Sequence, residues 1–200
     1  MRALVVYCHP HPESFTAAVR DTALEVLAEA GAEVTVIDLY AEAFDPVLGR
    51  REWDAYLDGP PPGGPLDGHI AALRAADTLI FVYPTWWYGQ PAMLKGWLDR
   101  VLLPEVAFAL PPEGDIEPRL RHVERLAVLT TCGASRFLTW LVGTPGRRII
   151  LRGLRLLCAR RARCLFAAHY AMDESTPASR ARHLEATRAR LRRFLARQPG

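Results

Sequence analysis

Thr78-Leu79-Ile80-Phe81-Val82 runs without a break into Tyr83-Pro84-Thr85-Trp86-Trp87-Tyr88-Gly89-Gln90-Pro91. The first five residues are the continuous apolar run of a strand covered on both faces. Gly89 and Pro91 close the following stretch as a loop and start a helix. Residues at i, i+1 and i+2 do not share a helix face, so Trp86, Trp87 and Tyr88 cannot all enter one core from one helix. Some flat apolar surface is left over. Residue types alone leave two readings open, a padded core edge or subunit interface and the wall of a site for a planar ligand. Downstream, Leu94, Trp97, Leu98, Val101 and Leu102 recur with helical spacing up to Pro104, while Lys95, Asp99 and Arg100 take the other face.

Upstream, Ala3-Leu4-Val5-Val6-Tyr7 is a second unbroken apolar strand, expected at the sheet centre. The polar loop Cys8-His9-Pro10-His11-Pro12-Glu13-Ser14-Phe15-Thr16 follows and leads into a helix that stops at Gly31. A helix start offers free backbone N–H groups and positive potential, so Ser14 and Thr16 are placed to hold an anion such as phosphate. Ser14 is equally read as an ordinary N-cap, and His9 and His11 as ordinary loop histidines. Glu33 to Leu39 alternates polar and apolar residues, as an edge strand does. Residues 41–65, with the run Pro60-Pro61-Pro62-Gly63-Gly64-Pro65, form a long ordered connection with a flexible tip. A short helix from Leu66 to Ala76 then delivers the chain to residue 78.

Beyond the proline-rich connection around Pro111 and Pro112, Leu126 to Thr130 reads as a strand opening into Thr131-Cys132-Gly133-Ala134-Ser135. A helix around 145–158, a strand at about 163–168 and an arginine-rich helix at about 177–196 complete the pattern. Five strands alternating with helices, with the alternating edge strand second, favour a parallel sheet in the order 2-1-3-4-5 with helices on both faces, a flavodoxin-like three-layer sandwich forming one domain over residues 1–200. Ligands in such sheets bind outside the carboxyl ends of the strands. The loops at 8–16, 83–90 and 130–135 all fall there, which favours the ligand reading of the aromatic loop.

Composition narrows the function classes. Net charge is +3, and Lys95 is the only lysine among 25 basic residues. The basic runs at Arg160 to Arg163 and Arg188 to Arg197 lack interleaved stacking aromatics, so they read as solvated faces and no nucleic acid is expected. Cys8, Cys132, Cys158 and Cys164 show no metal-type spacing, and neither a signal peptide nor a membrane-length apolar run is present, so a reduced cytoplasmic setting is expected and no metal.

His9 followed by Ser14-Phe15-Thr16, Asp38-Leu39-Tyr40 with Phe44-Asp45-Pro46, and Pro84-Thr85-Trp86-Trp87-Tyr88-Gly89-Gln90-Pro91-Ala92-Met93-Leu94-Lys95-Gly96-Trp97 stand in one order and spacing, with weaker matches at Val106-Ala107-Phe108 and Thr130-Thr131-Cys132-Gly133. In these the chain resembles the NAD(P)H:quinone oxidoreductase branch of the flavodoxin-like flavoproteins over roughly residues 3–170. The resemblance implies a homodimer with FAD or FMN, FAD slightly preferred, near the subunit interface, and NAD(P)H as reductant. It implies that His9, Ser14, Phe15 and Thr16 surround the flavin's phosphate-bearing tail, that Pro84, Thr85, Trp86, Trp87 and Tyr88 line its ring, and that Thr131 and Gly133 close the other side. Trp87, Tyr88 and Phe108 would meet a flat quinone-like substrate, reduced by two electrons in a ping-pong cycle in which the flavin, and no catalytic side chain, carries the chemistry.

Two departures stand out. The tyrosine and histidine that assist charge relay in well-studied members have no counterpart in Phe137-Leu138-Thr139-Trp140-Leu141-Val142-Gly143-Thr144-Pro145, so that relay is not transferred. Phe108 and Leu110 replace substrate-side tyrosines and leave a more apolar wall. The family also includes ancillary subunits of potassium-efflux systems, so the alternative is a flavin-containing regulatory subunit on a membrane transporter. Arg136, Arg147 and Arg148 are candidates for a nucleotide 2′-phosphate, read more simply as part of a solvated face.

Overall fold

A computed structural model describes residues 1–60 and 63–196. Pro61 and Pro62, in the tip expected to be flexible, and Arg197, at the end of the last basic run, lie outside them. In chain order the elements are β1 (Arg2–Tyr7), α1 (Phe15–Glu29), β2 (Glu33–Asp38), α2 (Arg50–Asp54), α3 (Asp67–Ala75), β3 (Thr78–Thr85), α4 (Ala92–Val101), β4 (Phe108–Ala109), β5 (Glu117–Pro118), β6 (Arg125–Cys132), α5 (Arg136–Leu141), α6 (Pro145–Arg148), β7 (Arg163–His169) and α7 (Pro177–Leu195). The main sheet has five parallel strands in the order β2-β1-β3-β6-β7. This is the expected 2-1-3-4-5 order, because β4 and β5 form a separate two-stranded antiparallel pair that sequence periodicity did not register.

β1, β3 and β6 are buried almost end to end, whereas β2 is the largely exposed edge strand expected, although its burial does not follow the polar–apolar alternation, since Val36 is 40% exposed and Ile37 is buried. Side chains alternate between two cores. Val5, Ile80 and Val82 face α1 and α7, where they meet Val19, Val26, Leu27, Leu191 and Phe194. Leu4, Val6, Phe81 and Leu126 face the other way onto Leu73, Leu94, Trp97 and Val101. Trp97 is fully buried, stands edge-on to Phe81 at 6.0 Å and satisfies its indole N–H on His69 Nδ1 at 3.1 Å. Burying each such side chain contributes about 1.5–3 kcal/mol.

Several expectations are corrected. The third strand does not stop at Val82 but continues through Tyr83, Pro84 and Thr85 against Thr130, Thr131 and Cys132 of β6. Pro84 is tolerated because its missing N–H would face the β1 side, where pairing ends at Tyr7 and only Cys8 N still donates to Val82 O. Arg100 is not on a solvent face. Residues 41–58 fold back over α4 and bury it to 8% exposure, where it donates to Glu52 and to Asp45 O and lies over the Phe44 ring. The same approach leaves Gly96 no room for a side chain, since a Cβ there would meet Pro46 O at 2.2 Å. The single helix expected at 145–158 is broken into α6, a π-helical turn at Ile149–Gly153 and a 3-10 turn at Leu154–Leu157, and α5 occupies part of the stretch before it. Thr144 in the left-handed region, with Pro145 starting a new helix, separates α5 from α6. Among the described residues no helix is long and apolar enough to cross a membrane.

Candidate functional site

The carboxyl ends of β1, β3, β6 and β7 open into a cleft of about 670 Å³, a size that suits a small-molecule ligand. Its lining contains every residue expected at a cofactor: His9, Ser14, Phe15, Thr16, Pro84, Thr85, Trp86, Trp87, Tyr88, Thr131 and Gly133. Cys132, Ala134, Met172 and Asp173 complete it. Met172 and Asp173 come from a short 3-10 turn after β7, reached through Ala171 in the left-handed region, and a pattern search built on apolar periodicity has no signal for such a turn. The structure does not bring Phe108 to the cleft of its own chain. It sits on β4, half buried against the core beside α4.

The aromatic wall is a two-residue turn. Trp86 N donates to Gly89 O at 3.2 Å, and Gly89 N donates back to Trp86 O at 3.0 Å. Trp87 and Tyr88 between them have φ values of 49° and 62°, the mirror-image geometry normally filled by Asn and Gly. Two bulky residues in the left-handed region cost about 1–2 kcal/mol each, and such strain persists only where the surroundings enforce it. Here the enforcement comes from α6. Gly146 N donates to Tyr88 O at 3.2 Å, and Gln90 Nε2 donates to Gly146 O at 2.8 Å. The turn leaves the Trp87 and Tyr88 N–H groups without a partner among the described residues, and leaves the Trp87 side chain 96% exposed.

The opposite wall is the start of α1. Ser14 Oγ accepts from Ala17 N at 3.1 Å, so the capping role is met. The N–H groups of Phe15 and Thr16 in the first turn stay free for an anion, so the two readings of Ser14 do not compete. His9 Nδ1 lies 3.0 Å from His11 N and 3.1 Å from His11 O, so it accepts or donates according to the ring tautomer and the ring is held in place either way. Burial holds the His9 pKa below its ordinary value, so the ring is neutral.

Hydroxyls knit the floor. Thr16 Oγ1 meets Thr131 Oγ1 at 3.0 Å, Thr85 Oγ1 meets Thr130 Oγ1 at 2.8 Å, and Thr130 donates to Tyr83 O at 2.7 Å. These bonds tie α1 to β6 and β6 to β3, so the two walls keep a fixed separation. Behind Phe15, the His169 and His183 rings pack at 5.1 and 6.0 Å from its ring and 4.9 Å from each other. Cys8, below the cleft, is pushed by burial to about 12 and stays a thiol.

The arrangement can hold a planar ring against a strained aromatic turn, give its polar edge two backbone donors, and receive an anionic tail at a helix start. A family model described as having a flavodoxin-like fold matches residues 1–193. NAD(P)H dehydrogenase (quinone) 1 of Cavia porcellus is 33% identical over 162 residues, which is 72% of this chain and 58% of that protein. Ribosyldihydronicotinamide dehydrogenase (quinone) of Pongo abelii is 32% identical over 126 residues, 55% of this chain and 54% of that protein. The chain therefore spans just over half the length of these curated relatives. Among solved structures, NAD(P)H:quinone oxidoreductase from Methanothermobacter marburgensis superposes with a TM-score of 0.80 at 25% identity, over 100% of this chain and 99% of that one.

Proposed function

We propose that this chain, which belongs to the family with the flavodoxin-like fold, binds FAD or FMN in the cleft and uses NAD(P)H to reduce a quinone or similar flat electrophile. The observation that carries this reading is the Trp86 to Gly89 turn, whose two strained aromatics and two free N–H groups stand across from the free start of α1. When bound, a flavin would supply the two-electron hydride chemistry. Every other part belongs to the protein. Trp86, Trp87 and Tyr88 exclude water from one side of the ring, and the Trp87 and Tyr88 N–H groups stabilise negative charge at its polar edge. Phe15 and Thr16 N–H groups, with the His9 ring beside them, hold the phosphate-bearing tail, while Thr131 and Gly133 close the far side. The cycle is ping-pong, with reductant and acceptor taking the same place in turn, and no side-chain nucleophile is required.

We further propose that residues 1–200 act as one domain and that two copies associate. Trp53, Leu57 and Leu110 expose 64%, 72% and 46% of their surface on neighbouring segments, which meet where Gly59 approaches Glu105. Association across this face would carry Phe108 toward the partner's cleft and give it the substrate-side role it lacks in its own chain.

The test is an anaerobic visible spectrum of the chain reconstituted with FAD or FMN, recorded before and after NADH or NADPH and again after a quinone. Bleaching by a nucleotide and recovery with the quinone is expected. A flavin that binds but is bleached by neither nucleotide would remove the catalytic reading and leave a binding role, and failure of both flavins to bind would remove the cofactor as well.

A further inference from the structure

A second cavity, of about 590 Å³, opens on the free edge of β7, and three arginines from three different elements line it: Arg136 of α5, Arg147 of α6 and Arg190 of α7. No carboxylate is among its lining residues, and none of the three makes an ion pair within the described residues. Other arginines here do find carboxylates, as Arg100 finds Glu52 and Arg192 finds Glu29. The three residues are exposed, and together they give the cavity a positive potential with no carboxylate in its lining, a field that attracts an anion. Edge protection explains one of them, since Arg190 donates to Phe166 O on the open strand. Arg147 lies over the Phe166 ring at 5.3 Å, and neither contact accounts for Arg136 or for the Trp140 ring, which also lines the cavity and is 69% exposed.

The cavity adjoins the cleft. Ala134 lines the cleft and Arg136 lines the cavity two residues on; Tyr170 lines the cavity and Met172 lines the cleft. One ridge divides them, pinned by Ala171 N donating to Ala134 O at 3.1 Å. A ligand with a flat ring in the cleft and a long polar arm would cross this ridge and deliver the arm to the arginines.

We propose that this cavity takes the phosphate-bearing adenosine end of the dinucleotide reductant, with Arg136, Arg147 and Arg190 around a 2′-phosphate and Trp140 against the base, so that NADPH is preferred to NADH. The inference rests on the reductase reading of the cleft, but its binding step can be tested without turnover. Guanidinium groups match phosphate oxygens with paired N–H donors, and an aromatic face accepts a purine.

The probe is adenosine 2′,5′-bisphosphate, compared with adenosine 5′-diphosphate, titrated calorimetrically into the flavin-loaded full chain. Cys164 gives a second readout, because it lines the cavity and is the exposed thiol, whereas Cys8, Cys132 and Cys158 are buried. The 2′-phosphorylated probe is expected to bind about tenfold more tightly and to slow alkylation of Cys164. Arg136→Gln and Arg147→Gln are each expected to erase that preference and to raise KM for NADPH about tenfold relative to KM for NADH, with kcat unchanged. Equal affinity for the two probes, with no change in the KM ratio in either variant, overturns the inference and leaves the flavin reading standing. Binding of the probe and protection of Cys164 in a chain whose flavin no nucleotide bleaches would keep the cavity as an adenosine-phosphate site and defeat the reductase reading instead.

Discussion

Gly146 lies directly against Tyr88: its N–H donates to the Tyr88 carbonyl at 3.2 Å, and a Cβ on Gly146 would stand 3.4 Å from that oxygen and 3.3 Å from Gly89 Cα. The aromatic turn is thus held from behind by backbone, and a methyl group at residue 146 would push it by a few tenths of an ångström. Gly146→Ala is expected to weaken flavin binding about three- to tenfold, and Gly146→Val more, with little loss of secondary structure. Fluorescence titration with flavin, beside a circular dichroism spectrum, measures both; unchanged affinity in the valine variant would mean that the turn holds its shape without α6.

Strain at Trp87 and Tyr88 separates stability from binding. Trp87→Gly relieves about 1–2 kcal/mol of left-handed strain and gives back about 0.5–1 kcal/mol in backbone freedom, so the melting temperature should hold or rise slightly while flavin affinity falls. Trp87→Ala removes the same ring and keeps the strain. Thermal melts of the two flavin-free variants should therefore place the glycine form higher.

Gly96 is a packing glycine. A Cβ there would come within 2.4 Å of Pro46 Cα as well as of its oxygen, so Gly96→Ala must move either α4 or the Asp45-Pro46 backbone. A cost of about 2–3 kcal/mol follows, or roughly 4–12 °C in melting temperature for a chain of this size. Differential scanning calorimetry checks this, and a shift under 1 °C would mean that the two segments part easily.

The two histidines behind Phe15 give stability a pH dependence. Burial, followed by the charges of His169 and Arg190, lowers the His183 pKa from its ordinary 6.5 to about 4, and burial with Arg180 lowers that of His169. Thr187 and Ser175 face the two rings with hydroxyls and supply no negative charge. Because the folded pKa values are depressed, the unfolded chain binds protons first. Stability is full above about pH 6.5, falls as the pH drops toward 4, and His183 adds no further loss below that. Carboxylates titrate at the lower end of this window, so the useful comparison is His183→Gln against the parent between about pH 6.5 and 5, where the parent should lose stability more steeply, by at most roughly 1.4 kcal/mol per pH unit. Parallel melting curves would show that the pair is already solvated.

How much of this was legible follows from the length scale of each signal. β1 and β3 carry continuous apolar runs and the face of α4 repeats over three turns, so the order of the sheet and the position of the cleft emerge from local periodicity. The residues gathered at the cleft could be named because each loop follows a strand at the same edge. What periodicity missed depends on contacts between distant segments. Arg100 looks like a surface residue until residues 41–58 fold over it and bring Glu52 within hydrogen-bond reach. The π-helical turn at Ile149–Gly153 keeps helical spacing in sequence and loses it only in backbone geometry. Phe108 was assigned to the substrate by resemblance, and its own chain keeps it away.

The cleft draws its walls from residues 9–16, 84–88, 131–134 and 172–173, four segments that approach one another only after the sheet has assembled. No fragment of the chain can hold a ligand there, so whatever fills the cleft binds the native state and ignores the unfolded one. At one hundred times its dissociation constant such a ligand adds about 2.7 kcal/mol to the folding equilibrium. Supply of that ligand would therefore set the folded fraction: with less of it, more chains would open and become exposed to proteolysis.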